Sequence, residues 1–157
     1  MGHPVLRERA RALDRSDLKS AVVQRLIDDM IDTMHEYSGV GLAAPQVHEG
    51  VRLFVAMLDE DPDEKSEATA VINPEIVPVG NDMAEGWEGC LSIPDIRGMV
   101  PRYTNIVVRG LDREGRPRDL SLKGFPARVA QHETDHLDGV LFFDRMRSMQ
   151  TLTFLDE

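Results

Sequence analysis

The sequence predicts a single domain, spanning residues 1–157, that mixes helices with strands. Three observations lead there. Apolar residues recur at three- and four-residue spacing near the N-terminus, strand-prone runs fill the middle, and a second helical stretch near the C-terminus carries two histidines four residues apart. A chain of 157 residues, 41% of them apolar, supplies one hydrophobic core and is too short to plan for two.

The first helix is read from Leu18, Val22, Val23, Leu26, Ile27, Met30, Ile31, Met34 and Tyr37, with charged residues between them. This is a long amphipathic helix, expected to be capped by Ser16 or Asp17, and its methionines read as core packing. It ends in Ser38-Gly39-Val40-Gly41-Leu42-Ala43-Ala44-Pro45-Gln46, where two glycines allow a tight turn and a close backbone approach. No Lys-Ser/Thr follows and the glycine spacing is not that of a dinucleotide loop, so a phosphate cradle is disfavoured. A narrow wall with one amide aimed at a ligand fits better, although Gln46 alone would be an ordinary surface residue.

Residues 51–58 read as a buried strand and 59–66, acidic and proline-containing, as an exposed connection. Residues 69–72 and 76–79 are two further strands, broken at Asn73-Pro74 because proline cannot hold an interior ladder position. In Glu85-Gly86-Trp87-Glu88-Gly89-Cys90-Leu91-Ser92-Ile93-Pro94, glycines on both sides of the cysteine-bearing segment place the thiol on a turn rather than within a packed strand. Arg97 and Arg102 follow as ordinary solvated cations, unless one pairs with Glu88 and so fixes the loop. Strands are predicted at 105–112 and 118–122. Gly124-Phe125-Pro126 opens the second helix, with proline suited to its first turn, and Gly139 can close it in a left-handed conformation. Residues 140–143 should complete the core, and 151–154 alternate enough to suggest a terminal strand.

The chemistry concentrates in Gln131-His132-Glu133-Thr134-Asp135-His136-Leu137-Asp138-Gly139. On a helix His132 and His136 face the same way and can reach one metal ion, while Glu133 beside them can take a proton from water without acting as a ligand. The plainer reading is a polar helix with two surface histidines. A Cys90 thiolate would supply a third ligand and leave one position for water. Two imidazoles and a thiolate suit Fe(II), Zn, Co or Ni and argue against Mg or Ca. A Cys-His nucleophilic pair competes, but it leaves the four-residue spacing and Glu133 unused.

Eighteen basic against twenty-eight acidic residues, a net charge of −10, argue against direct nucleic-acid recognition or an anionic-membrane surface. Cys90 is the only cysteine, so no internal disulfide forms and a reducing, cytoplasmic setting is expected. No apolar run approaches the roughly 20 residues that span a bilayer, and no signal peptide is expected before the charged start. Nothing in the pattern specifies an oligomer.

The sequence resembles the peptide deformylase family in three ordered blocks: GVGLAAPQ at 39–46, EGCLS at 88–92 and QHETDHLDG at 131–139. The likeness continues through Gly2-His3-Pro4-Val5-Leu6-Arg7, Asn73-Pro74, Ile93-Pro94 and Val100-Pro101-Arg102, and so covers nearly the whole chain. Two departures are a start lacking the usual few leading residues, which puts an initial edge strand in question, and a short C-terminal segment in place of a long helix. The resemblance implies an α+β fold with mixed or antiparallel sheets around the histidine-bearing helix. It further implies Cys90, His132 and His136 as ligands of one divalent metal, Fe(II) by preference with Zn, Ni or Co as substitutes. Glu133 would be the general acid/base and Gln46 with the Leu91 N–H the oxyanion donors. Val40, Gly41 and Arg97 would position substrate, and Glu88 with Arg102 would support the ligands. The implied activity is hydrolysis of the formyl group from N-formylmethionyl nascent polypeptides, with formate released and at most a transient ribosome contact. A deformylase-like hydrolase of other specificity, an endopeptidase and a non-enzymatic metal-binding module are the alternatives.

Overall fold

A long helix, two antiparallel sheets and a second, central helix make up the chain, described here in a computed structural model for residues 1–61, 63 and 65–156. After a 3₁₀ turn at Pro4–Arg7, the expected N-terminal helix is divided: a short α1 (Arg15–Leu18) precedes α2 (Ala21–Glu36). The caps differ from those expected. Asp14 caps α1 through a capping box with Asp17, and the Ser20 side chain accepts from Val22 N–H at the start of α2. Both expected caps, Ser16 and Asp17, fall inside α1, because apolar periodicity alone does not show the break at Lys19-Ser20. Val22, expected on the apolar stripe, is exposed as a result.

The strands are β1 (Gly41–Ala43), β2 (Leu53–Ala56), β3 (Thr69–Pro78), β4 (Met83–Cys90), β5 (Ile93–Tyr103), β6 (Asn105–Leu111), β7 (Pro117–Lys123) and β8 (Thr153–Phe154). The five-stranded sheet has the order β1-β2-β3-β6-β7 and the three-stranded sheet β4-β5-β8, all pairs antiparallel. Two expectations are corrected. Asn73-Pro74 does not divide two strands; it forms a bulge inside β3, with Asn73 at φ 51° and the register to β6 shifting between Ile72 and Glu75. Cys90 is the last residue of β4 rather than part of a free turn, with its own register shift after Gly89. The acidic connection expected at 59–66 includes residues 62 and 64, which lie outside the described residues.

The alternation along β2 sets the layers. Leu53 and Val55 pack with Ile27, Met30 and Met34 of α2, whereas Phe54 and Ala56 pack with Ala127, Val129 and Ala130 of the helix α3 (Phe125–Leu137). With both faces covered, β2 is wholly buried, as its unbroken apolar run requires. The three-stranded sheet closes over the other side of α3 with Ile93, Val100, Leu141 and Phe142. Held between two sheets, α3 is buried at nearly every position from Pro126 to Leu137, including Glu133 and Asp135. Gly139, at φ 74°, ends it.

Candidate metal centre and cleft

Helix α3 divides its side chains between two surroundings. Phe125, Arg128, Val129, His132 and Glu133 line a cleft of about 620 Å³, while Gln131, Thr134, Asp135 and Asp138 face the opposite side. The cleft runs between β1 and β4, each an edge strand of its sheet. Gln131 fixes the helix in rotation, since its Oε1 accepts from Tyr103 N–H at 3.0 Å and its Nε2 donates to Tyr103 O at 2.9 Å.

The ligating atoms of Cys90, His132 and His136 lie within 4.8 Å of one another, and Cys90 Sγ is 3.3 Å from His136 Nε2. Tetrahedral bonds of about 2.0–2.1 Å to nitrogen and 2.3 Å to sulfur would separate such atoms by roughly 3.6 Å, so the trio fits one divalent ion. The His132 ring is held by a carboxylate, whereas the buried Nδ1 of His136 has no partner. Glu88 Oε1 lies 2.8 Å from His132 Nδ1, which leaves Nε2 for the ion. Glu88 in turn accepts from Arg102 Nε and Nη2, each at 2.9 Å, and from Arg128 Nη1 at 2.7 Å. Asp135 accepts from Arg102 and, through both oxygens, from Arg145. Burial raises the Glu88 carboxyl, but His132 and Arg102 more than offset it and hold Glu88 at about 2. Burial drives His136 down to about 3, keeping it a neutral donor. On His132 burial acts downward too, yet contact with Cys90 and Glu88 overrides it and raises the ring to about 10.

Glu133 is the other half of the site. It is 3% exposed, its Oε2 has no hydrogen-bond partner, and Oε1 stands 3.8 Å from His132 Nε2. Burial pushes its carboxyl up to about 7, with His132 opposing and Glu88 reinforcing the shift. The chain passes directly over it at Gly41, where a Cβ would lie 2.9 Å from Glu133 Cγ. No side chain fits there.

Gln46 Oε1 accepts from Ala43 N–H at 2.9 Å, which turns Nε2 toward Cys90 Sγ at 3.5 Å and Ser92 Oγ at 3.0 Å. Leu91 sits on the turn between β4 and β5 at the cleft, half-exposed, as is Val40. Arg97 is set slightly apart. Its guanidinium carbon lies 4.5 Å from the centre of the Trp87 ring, and its buried Nε has no partner. The sequence reading missed Ser92, Arg128 and Asp135. Ser92 and Asp135 stood inside quoted motifs without a role, and Arg128 carried no local signal at all.

The fold and this arrangement bring a helical His-Glu-x-x-His pair and a cysteine together as one possible metal site. Residues 1–152 match the family model described as polypeptide deformylase. A peptide deformylase 2 from Nostoc sp. is 46% identical, over 98% of this chain and 87% of its own length. The peptide deformylase 1 of Prochlorococcus marinus is 43% identical, over 100% and 83%. Among solved structures, a class I type b peptide deformylase from Acinetobacter baumannii superposes with a TM-score of 0.87 at 38% identity, covering 93% of this chain and 95% of that one. The peptide deformylase of Thermus thermophilus gives 0.82 at 46%, covering 92% and 81%. The chain belongs to the peptide deformylase family: it is a metal-dependent hydrolase that removes the N-formyl group from nascent polypeptides.

Proposed function

We propose that Glu133 is the proton carrier of this reaction and that Cys90, His132 and His136 hold the metal. The observation that carries the reading is the unpartnered Glu133 Oε2, buried beside the ligand trio with a carboxyl poised near neutrality. When bound, the divalent ion acidifies water and polarises the formyl oxygen. Glu133 accepts the proton as water adds to the formyl carbon. The charge that develops on oxygen is met by Gln46 Nε2 and the Leu91 N–H, an effect of about 3–4 kcal/mol for a well-placed donor. Glu133 then returns its proton to the departing amine, the C–N bond breaks, and formate and a free N-terminus remain.

The open edges of β1 and β4 support strand-like alignment of the peptide along Val40 and Gly41. Arg97 on Trp87 supports it farther along the cleft. Glu88 and Arg102 orient His132. A solved Acinetobacter baumannii relative has Met-Ala-Ser bound, which favours methionine as the first residue here. The thiolate-containing donor set supports Fe(II) as the working metal, with Zn, Ni or Co able to occupy the same atoms. It also requires a reduced Cys90, consistent with a cytoplasmic setting. Among the described residues no helix is long and apolar enough to cross a membrane. Encounter with the nascent chain at the ribosome is taken to be transient.

The test is formate release from formyl-Met-Ala-Ser by protein prepared anaerobically with Fe(II). Glu133→Ala should retain one metal per chain and lose about 10²–10⁴-fold in kcat. Cys90→Ser should instead lose metal. Near-normal turnover by metal-replete Glu133→Ala would refute the assignment of the proton carrier.

A further inference from the structure

Helix α3 and strand β4 carry different members of the ligand trio, and β4 is an edge strand whose one ladder partner is β5. The distance from thiol to imidazoles is therefore set by side chains that cross from helix to strand. Arg128 lies one turn before His132, so the two leave α3 on the same face. Both reach Glu88, Arg128 Nη1 donating to Oε2 at 2.7 Å and His132 Nδ1 standing 2.8 Å from Oε1. Arg128 then goes further than Arg102 does. Its Nη1 also donates to Val100 O at 2.7 Å and its Nη2 to Ala84 O at 2.8 Å, so one guanidinium grips β5 and β4 by their main chains. Arg102 holds only the carboxylates of Glu88 and Asp135. Among the described residues, the bond to Ala84 O is the only hydrogen bond from α3 to the backbone of β4. The fit is close. The Arg128 side chain is 13% exposed, and a Cβ at position 86 would fall 2.9 Å from its Cζ and 3.0 Å from Nε and Nη2, so glycine at 86 is what lets the guanidinium lie against β4.

We infer that Arg128, seated on Gly86, is a positioning residue that fixes β4 against α3 and so sets how closely the Cys90 sulfur holds the divalent ion shared with His132 and His136. The inference rests on the reading that these three residues are the ligands. Arg102 donates to both oxygens of Glu88, so loss of Arg128 leaves His132 oriented and its effect falls on the sulfur. A lysine ammonium can answer Glu88, but it lacks the planar fork that spans a carboxylate and two carbonyls. Charge on Glu88 and registration of the strand are thereby separable.

The experiment loads the full chain with Co(II) or Zn(II). Cobalt reports its sulfur ligand through a thiolate charge-transfer band in the near ultraviolet, and competition with a chelator reports the affinity for Zn(II). Arg128→Leu should bind Zn(II) about 10–100-fold more weakly and show a diminished or shifted cobalt band, the loss expected when a partner behind a metal ligand is removed. Gly86→Ala displaces the guanidinium without deleting it and should move both readouts in the same direction. Arg128→Lys should restore them only in part, and together with Gly86→Ala it decides the matter should Arg128→Leu fail to fold. Wild-type values in Arg128→Lys would place the effect in the charge on Glu88, and wild-type values in every variant, whatever their melting temperatures, would leave Arg128 a merely structural residue. Either result overturns this inference alone. A wild type that binds Co(II) without any thiolate band, or binds no metal, would instead overturn the ligand reading beneath it.

Discussion

At the residue scale, the site gathers side chains whose burial sets their protonation against their ordinary preference. Glu133 Oε2 has no hydrogen-bond partner, His136 is too buried to charge, and His132 is drawn toward a proton by its acidic neighbours. This has a consequence for the metal-free protein. The Glu133 carboxyl rises from 4.5 in the ordinary case to about 7 in the folded chain, so between these values the native state holds a proton that the unfolded state has released. Stability attributable to Glu133 is therefore full below 4.5 and declines as pH rises through about 7, by about 3 kcal/mol in all. The difference in unfolding free energy between metal-free wild type and Glu133→Gln, measured by denaturant titration across this range, should shift in favour of the variant as pH rises. A difference independent of pH would mean that Glu133 is not held in a low-dielectric setting.

At the scale of elements, the placement of α3 does more than any single ligand. Two sheets enclose it, Gln131 sets its rotation against Tyr103, and Gly139 stops it just beyond His136. The stop also forms a contact, because Gly139 lies against the backbone of Arg7 and a Cβ there would sit 2.6 Å from the Arg7 carbonyl oxygen. Gly139→Ala should thus combine strain at φ 74° with a backbone clash, and cost at least about 1–3 kcal/mol. A thermal melt should show a loss of about 5 °C or more, with metal affinity reduced as the last turn carrying His136 frays. An unchanged melting temperature would show that the N-terminal turn yields freely.

Over the whole molecule, the proposed metal site joins parts of the chain that are distant in sequence. Cys90 comes from the three-stranded sheet, and the histidines come from a helix packed on the five-stranded one. A ligand that binds only this folded arrangement stabilises it by mass action, about 2.7 kcal/mol at a hundredfold excess over Kd. Anaerobic chelation should lower the melting temperature by roughly 5–10 °C, and either Fe(II) or Zn(II) should restore it. Restoration by Mg(II) would contradict the thiolate-imidazole donor set. Cys90→Ser should lose most of this response, since Cys90 is the ligand proposed from the second sheet.

Local pattern determined much of this protein. The helix at 21–36, the runs that became β2, β6 and β7, the proline opening of α3 and its glycine stop were legible because each depends on near neighbours along the chain. The three motif blocks named the residues now found around one cleft. Tertiary structure decided the rest. Asn73-Pro74 reads as a strand break, yet pairing on both sides carries β3 through it as a bulge. Arg97 and Arg102 both read as solvated cations or as a partner for Glu88, and enclosure of α3 decides for Arg102, which is buried between Glu88 and Asp135. Arg128 carries no signal of its own. It acquires one only when a strand far earlier in the chain presents a glycine to its guanidinium, and desolvation and close approach arise only from the way distant segments pack.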